Sequence, residues 1–259
     1  MELTTGVDEA REPGGNQLPS LYVEPEKPAE EIDWPALEFN DVFKIYESGS
    51  ARTVALRGLD LRVERGELVA VIGPSGSGKS TLLALAAALD QPSAGDVTAD
   101  GRSLAHLDEA GLASHRARGV AIVFQSDNLW PELSARENVA TALRLAGRPH
   151  PERTAEETLG TFGLSERTHL RPRSLSGGEQ QRVAIAAAAA RRAPLVLADE
   201  PTGELDEKNE GIVLRSLADL RDRFESTIVV VTHSDRVAAA CDRVVALQDG
   251  KVANGKGAR

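Results

Sequence analysis

The feature that most restricts how this chain can fold is the run Gly73, Pro74, Ser75, Gly76, Ser77, Gly78, Lys79, Ser80 and Thr81. It lies between an apolar stretch, Leu68 to Ile72, and a segment of helical spacing, Lys79 to Leu89. The run matches G-x-x-x-x-G-K-[ST] in the strand-to-helix context that the pattern requires. Its glycines let backbone N–H groups turn toward a phosphate chain, and the following helix adds roughly half a positive charge at its N-terminus. Lys79 can reach the outer phosphates and Ser80 can offer a hydroxyl to Mg²⁺. The expectation is an α/β chain that binds a nucleoside polyphosphate where a buried strand hands over to a helix.

The remaining pattern supports that architecture. Short β-type runs at Leu37 to Ile45 and Val54 to Val63 are broken by glycine and charged turns. Val120 to Phe124, Leu195 to Ala198, Ile228 to Thr232 and Val244 to Leu247 are nearly continuous in apolar character, as strands buried on both faces are. Helical spacing occupies Ala135 to Ala146, Thr154 to Phe162, Gly178 to Arg192 and Asp206 to Phe224. The stretch from Ser126 to Ser174 reads as almost wholly helical and interrupts the strand series. The fold predicted is a parallel α/β core with a β-rich N-terminal part and an inserted helical subdomain at about 126–175.

Two further constellations bear on chemistry. Leu195 to Ala198 ends in adjacent carboxylates, Asp199 and Glu200, and adjacent strand residues point to opposite sides. One carboxylate can face a metal while the other faces the space beyond a terminal phosphate. Asp199 is assigned to Mg²⁺ through water, and Glu200 to orienting and deprotonating an attacking water. Between loop and carboxylates, Ser176, Gly177 and Gly178 precede a helical run and make a second candidate anion cradle. Either both cradles face one nucleotide within a monomer, or each faces a nucleotide held by a second copy.

Leu175-Ser-Gly-Gly-Glu-Gln-Gln-Arg182 resembles the signature of ABC-type ATPases, and with the loop at 73–80 and Asp199-Glu200 it has that family's order and spacing. The resemblance runs from about Leu37 to Val252. It implies a P-loop ATPase core that binds ATP and Mg²⁺ and pairs head to tail with a second ATPase subunit, so that Ser176, Gly177 and Gly178 act across the interface. It further implies that Gln125 touches Mg²⁺, that Asp206 lies in a loop linking the two sites, and that His233 hydrogen-bonds the terminal phosphate. Tyr46 matches the aromatic that stacks on adenine. Read alone, Gln125 is a surface residue after a strand, Asp206 a helix cap, His233 a structural histidine and Tyr46 a core aromatic. Two positions depart from the family pattern. Ala187 stands where an arginine usually braces the helical subdomain, and Glu204 stands where asparagine or a small residue is usual.

Phe124 to Val139 and Pro201 to Asp206 resemble the lipoprotein-release, macrolide-export and cell-division group, whose cassettes drive transmembrane permeases. The alternatives are a soluble ATPase of the family without a permease, and an ATP-gated interaction protein with little turnover. A single phosphate loop and only 97 residues from Lys79 to Ser176, without sustained heptads, argue against ribosome-acting and chromosome-type members.

Composition adds boundaries. The formal charge is −10, but residues 1–40 hold ten acidic and two basic side chains, so most of the excess lies in the N-terminal segment. That segment, rich in proline and poor in large apolar residues, reads as a disordered acidic tail over 1–35, with a short C-terminal tail from 254. An acidic chain with few aromatics is not expected to coat nucleic acid. The longest apolar run, Val183 to Ala190, is eight residues, where a spanning helix needs about twenty. With no signal-like N-terminus and one cysteine, Cys241, which reads as a small apolar filler, the expectation is a cytoplasmic ATPase held at the membrane by its permease.

Overall fold

The computed structural model of the chain describes residues 34–49 and 51–253. Apart from Trp34 and Pro35, the expected acidic tail lies outside the described residues, as does the segment from 254. In chain order the strands are β1 (Leu37–Ser48), β2 (Ala51–Val63), β3 (Leu68–Ile72), β4 (Ala94–Ala99), β5 (Arg102–Ser103), β6 (Val120–Val123), β7 (Leu195–Asp199), β8 (Thr227–Val231), β9 (Arg243–Gln248) and β10 (Lys251–Val252). The helices are α1 (Lys79–Ala86), α2 (Glu109–Ser114), α3 (Ala135–Leu145), α4 (Pro151–Thr161), α5 (Gly177–Arg191), α6 (Glu207–Phe224) and α7 (Asp235–Ala239).

The strands form two sheets. One is antiparallel, in the order β2, β1, β4, β5; the other runs β10, β9, β3, β8, β7, β6 and is parallel except for the β9–β10 pair. The near-continuous apolar runs are explained by burial on both faces. Ile228 and Val230 of β8 join Val196 and Ala198 of β7 in one core with α5. Val229 and Val231 join Leu195 and Leu197 in the opposite core, which includes Leu82 and Leu85 of α1 and Leu37 and Phe39 of β1. Fully burying each such Val, Leu or Phe stabilises by about 1.5–3 kcal/mol. The alanine run of α5 supplies the small side chains that let this helix sit against the sheet and against α3, α4 and α6 at once.

The structure differs from the sequence pattern where tertiary pairing overrides composition. Ala94–Ala99, with Gly95 and Asp96, carries no strand signal, yet it forms β4 because β1 pairs with it, Leu37 opposite Ala99 and Phe39 opposite Val97. A Cβ on Gly95 would lie 2.3 Å from the Asp41 carbonyl oxygen, so the close approach selects glycine there. Residues 126–134, expected to be helical, are a loop. Asn128 exchanges hydrogen bonds with the backbone of Phe124, and Ser134 starts α3 only afterwards with a reciprocal cap to Glu137. Helix α1 stops at Ala86, followed by Ala88 at φ +53°, so Leu89 is exposed rather than part of the helix.

Candidate functional site

Because β3, β6, β7 and β8 are parallel neighbours in one sheet, their C-terminal ends open on the same edge, the position where such sheets hold ligands. From those ends leave the phosphate loop after β3, Gln125 after β6, Glu200 after β7 and His233 after β8. The topology thereby collects residues spread over 160 positions of chain.

The loop is shaped by close approach. A Cβ on Gly73 would lie 2.2 Å from the Leu247 carbonyl oxygen, and Gly78, at φ +105°, would meet the Ala55 carbonyl oxygen at 2.7 Å. Gly78 is the N-cap of α1, where no side chain caps and no acid occupies the first turn. By contrast α2, α3, α5, α6 and α7 each have a capping side chain. The first N–H groups of α1 are thus left for an anion. Lys79 arches over the loop, its Nζ donating to the carbonyls of Gly73 (2.7 Å) and Pro74 (3.0 Å). Ser77 is buried, and its Oγ has no hydrogen-bond partner among the described residues, a donor suited to an oxyanion. Ser75, Gly76 and Ser80 are exposed at the rim, and Thr81 is half-buried.

Asp199 is half-buried at the end of β7. Burial, then the neighbouring Glu200 charge, push its carboxyl above the usual range, partly opposed by Lys79. Among the described residues no three His, Cys, Asp or Glu side chains converge as a metal cage. A single desolvated carboxylate instead suits a Mg²⁺ that keeps its waters and takes phosphate oxygens. Glu200 leaves β7 with φ +45°, a left-handed conformation costly for a residue with a Cβ. It is locked from two sides, its N–H donating to the Val231 carbonyl at 2.9 Å and its Oε1 lying 2.8 Å from His233 Nδ1. The His233 N–H also donates to Glu200 Oε2 at 3.2 Å. His233 itself is largely exposed, with 73 % of its side chain accessible.

Gln125 is exposed, and its amide lies against Gly203, where an added Cβ would come within 3.1 Å of Nε2. Its backbone is gripped by a residue the sequence reading missed. The Gln181 side chain, 4 % exposed on α5, donates to the carbonyls of Phe124 and Gln125, both at 2.8 Å, and accepts from Asn128 at 2.9 Å. A signal existed, since Gln181 shares a helical face with Ala184, Ile185 and Ala188 and is polar among them.

Ser176 is the N-cap of α5, its Oγ accepting from the Glu179 N–H (3.3 Å) while the Glu179 carboxylate accepts from the Ser176 N–H (2.8 Å). Gly177 and Gly178 belong to the helix rather than preceding it. A Cβ on Gly178 would meet Asn209 Oδ1 at 2.8 Å, so this glycine makes room for the start of α6. Asp206 caps α6 by accepting from Asn209 N (2.8 Å), which holds its carboxyl below the usual range. Tyr46 is exposed rather than in the core. Its hydroxyl donates to Asp90 (3.0 Å) and Lys44 sits 4.9 Å over its ring, while no described contact ties it to residues 73–81.

Comparison with known proteins places this arrangement. The ABC transporter family pattern matches residues 56–203. The chain belongs to the ABC transporter family. The lipoprotein-releasing system ATP-binding protein LolD of Geobacter metallireducens is 44 % identical over 83 % of this chain and 97 % of its own length. The macrolide export ATP-binding/permease protein MacB of Marinobacter nauticus is 44 % identical over 86 % of this chain, which spans 35 % of that longer protein. The dimeric ATP-binding cassette MJ0796, in a post-hydrolysis state bound to ADP and Pi, superposes with a TM-score of 0.78 at 38 % identity over 86 % of this chain and 99 % of that one.

Within this ABC cassette Ala187 brings no charge to α5, and the cation nearest along the helix is Arg191, one turn on. The Arg191 guanidinium donates to the carbonyls of Arg116 (3.1 Å), Ala117 (2.7 Å) and Val120 (2.8 Å), tying α5 to the core. Beside it opens a cavity of about 490 Å³ lined by Ala184, Ala187, Trp130, Leu145 and Ile122. That cavity lies away from the phosphate loop and is not the nucleotide site. Cys241 is half-buried, its thiol pushed up to about 11 by burial, then by Asp242.

Proposed function

We propose that the chain is the ATP-hydrolysing subunit of a transporter of the lipoprotein-release or macrolide-export type, two copies closing head to tail around two ATP and driving a transmembrane permease. The observation that carries the proposal is the Glu200–His233 contact at the strand edge that also presents the phosphate loop. Lys79 and the N–H groups at the start of α1 bind the phosphate chain. Glu200, strained and fixed by Val231 and His233, orients a water toward the terminal phosphate and takes its proton, a role that contributes about 10² to 10⁴ in rate. Because a carboxylate only accepts, the His233 Nδ1 carries the proton of their hydrogen bond, which aims Nε2 outward. Ser80, Gln125 and, through water, Asp199 would hold Mg²⁺, whose charge would offset that of the phosphate oxygens.

LolD and MacB, named for lipoprotein release and macrolide export, support the permease reading. No helix among the described residues is long and apolar enough to cross a membrane; the reading sets this cassette at the cytoplasmic face of the permease's membrane-spanning segments. The cavity between Trp130, Leu145 and α5 is the surface the proposal gives to that partner, because Asn128 in its lining donates to Gln181, which donates to the Gln125 carbonyl. The test is hydrolysis by the purified chain with Mg²⁺ and ATP, against Glu200→Gln. Turnover is expected to fall by about 10²- to 10⁴-fold, with the variant accumulating as an ATP-bound dimer by light scattering. Equal turnover by both, or a variant that stays monomeric at saturating ATP, overturns the proposal.

A further inference from the structure

One buried carboxylate has no part in the chemistry above. Glu210, 9 % exposed in the first turn of α6, sits where an ionised group requires partners. Its Oε1 accepts from the Ser234 hydroxyl at 3.0 Å, and its Oε2 lies 3.3 Å from Arg236, which also approaches Glu207 at 3.5 Å. Ser234 is the residue after His233 and is fully engaged. Its Oγ accepts from Val237 N (3.4 Å) as the cap of α7 while donating to Glu210, and its N–H donates to Thr232 Oγ1 at 3.0 Å. The exposed His233 side chain is therefore held by Glu200 on one side and by this pinned backbone on the other.

We infer that Glu210 is the positioning residue for His233, acting through the Ser234 hydroxyl. Its own N–H donates to the Asp206 carbonyl at 2.8 Å, so the helix that carries it begins at the loop Gly203 to Asp206. A shift of that loop against a second subunit is carried along α6 as a rigid element to Ser234, and from there to the hydrogen bond between His233 and Glu200. One turn of helix thus separates the loop from Glu210, the side-chain link to the residue that aims at the reacting phosphate. A purely structural role predicts lost stability alone, whereas a positioning role predicts a displaced imidazole and slower chemistry at undiminished ATP binding.

The inference rests on the proposed function for its kinetic arm only. The experiment uses the full chain with Glu210→Ala, Glu210→Gln, Ser234→Ala, Ser234→Thr and the double variant Glu210→Ala/Ser234→Ala. It reads the ¹⁵N resonances of the His233 ring, assigned by their loss in His233→Asn, together with kcat and KM for ATP. Glu210→Ala and Ser234→Ala are each expected to move the ring resonances and lower kcat about 10-fold with KM within about twofold, as for a misaligned catalytic group. Glu210→Gln and Ser234→Thr keep an acceptor and a hydroxyl, so both are expected to restore most of the turnover. The double variant is expected to be no slower than the slower single one, because the two residues act in series. Unmoved His233 resonances in both alanine variants, or losses that multiply in the double variant, overturn the inference. If Glu210→Ala does not fold, Ser234→Ala against Ser234→Thr carries the same test. A wild-type chain without ATP turnover overturns the proposed function and leaves the resonances to decide Glu210.

Discussion

Two helix N-termini in this molecule read alike in sequence, each opened by serine and glycine, and are built differently. Helix α1 starts at Gly78 with no capping side chain, no acid in its first turn, and Lys79 leaning over the loop. Helix α5 starts at Ser176 with a complete reciprocal cap, and its Glu179 carboxylate is further paired with Arg167 at 3.0 Å. The first leaves N–H groups and a cation for an anion, while the second has satisfied a donor internally and carries a negative charge beside the rest. A helix dipole alone does not make a binding site, because local capping consumes the same donors. The α1 end can hold a phosphate chain by itself. The α5 end offers the Ser176 O–H, whose oxygen already accepts, and is suited to closing over a phosphate that something else holds.

The sharpest way to break this contrast is Lys79→Ala. A hydrogen bond to a charged group is worth about 1.5–3 kcal/mol, so ATP affinity of the monomer is expected to fall about 10- to 100-fold, measured by titration calorimetry. Substitutions at the α5 end should leave that monomer affinity untouched. An unchanged affinity in Lys79→Ala would remove the distinction between the two helix ends.

The glycines of the two ends sharpen it further, since they are needed for different reasons. Gly76 has no atom within 4 Å of an added Cβ but sits at φ +80°, so Gly76→Ala is expected to cost about 1–2 kcal/mol through backbone conformation. Gly178 has ordinary helical backbone but would press a Cβ to within 3.0 Å of the Asn209 Cβ and Cγ, so Gly178→Ala is expected to cost about 1–3 kcal/mol through overpacking. Both are read by urea denaturation. Only the second should also weaken the start of α6, because Asn209 is a hydrogen-bond partner of Asp206. A stable Gly178→Ala with an unchanged α6 would mean that this glycine serves a partner and not the fold.

What the sequence disclosed follows from what is local. The phosphate loop, the carboxylate pair after a buried strand and the helix caps are each written within a dozen residues, and the strands flanking them carry continuous apolar character. Missing were elements and contacts that depend on distant chain. Strand β4 exists because β1 pairs with it, the loop 126–134 because Asn128 is held against Phe124 by Gln181 of α5, and the Gln181 clamp because α5 packs against the end of β6. The sequence shows Ala187 where an arginine is usual, but that Arg191 ties α5 to the carbonyls of residues 116–120 depends on how the helix packs. Glu210 gave no signal, as an acid near a helix start is ordinary until Ser234 is seen beside it.

The finest test separates the two jobs given to Ser176. Removing a serine cap costs about 1 kcal/mol, so Ser176→Ala is expected to lower stability by that amount and slow hydrolysis while leaving monomer ATP affinity unchanged. Ser176→Asp keeps an acceptor for the Glu179 N–H, restoring the cap, but has no hydroxyl to donate and sets a negative charge toward any phosphate brought from a second copy. Stability near wild type with hydrolysis still lost in Ser176→Asp is therefore the expected pair of results, by urea denaturation and phosphate release. Wild-type hydrolysis in that variant would reduce the α5 end to a helix cap and leave α1 as the molecule's one anion cradle.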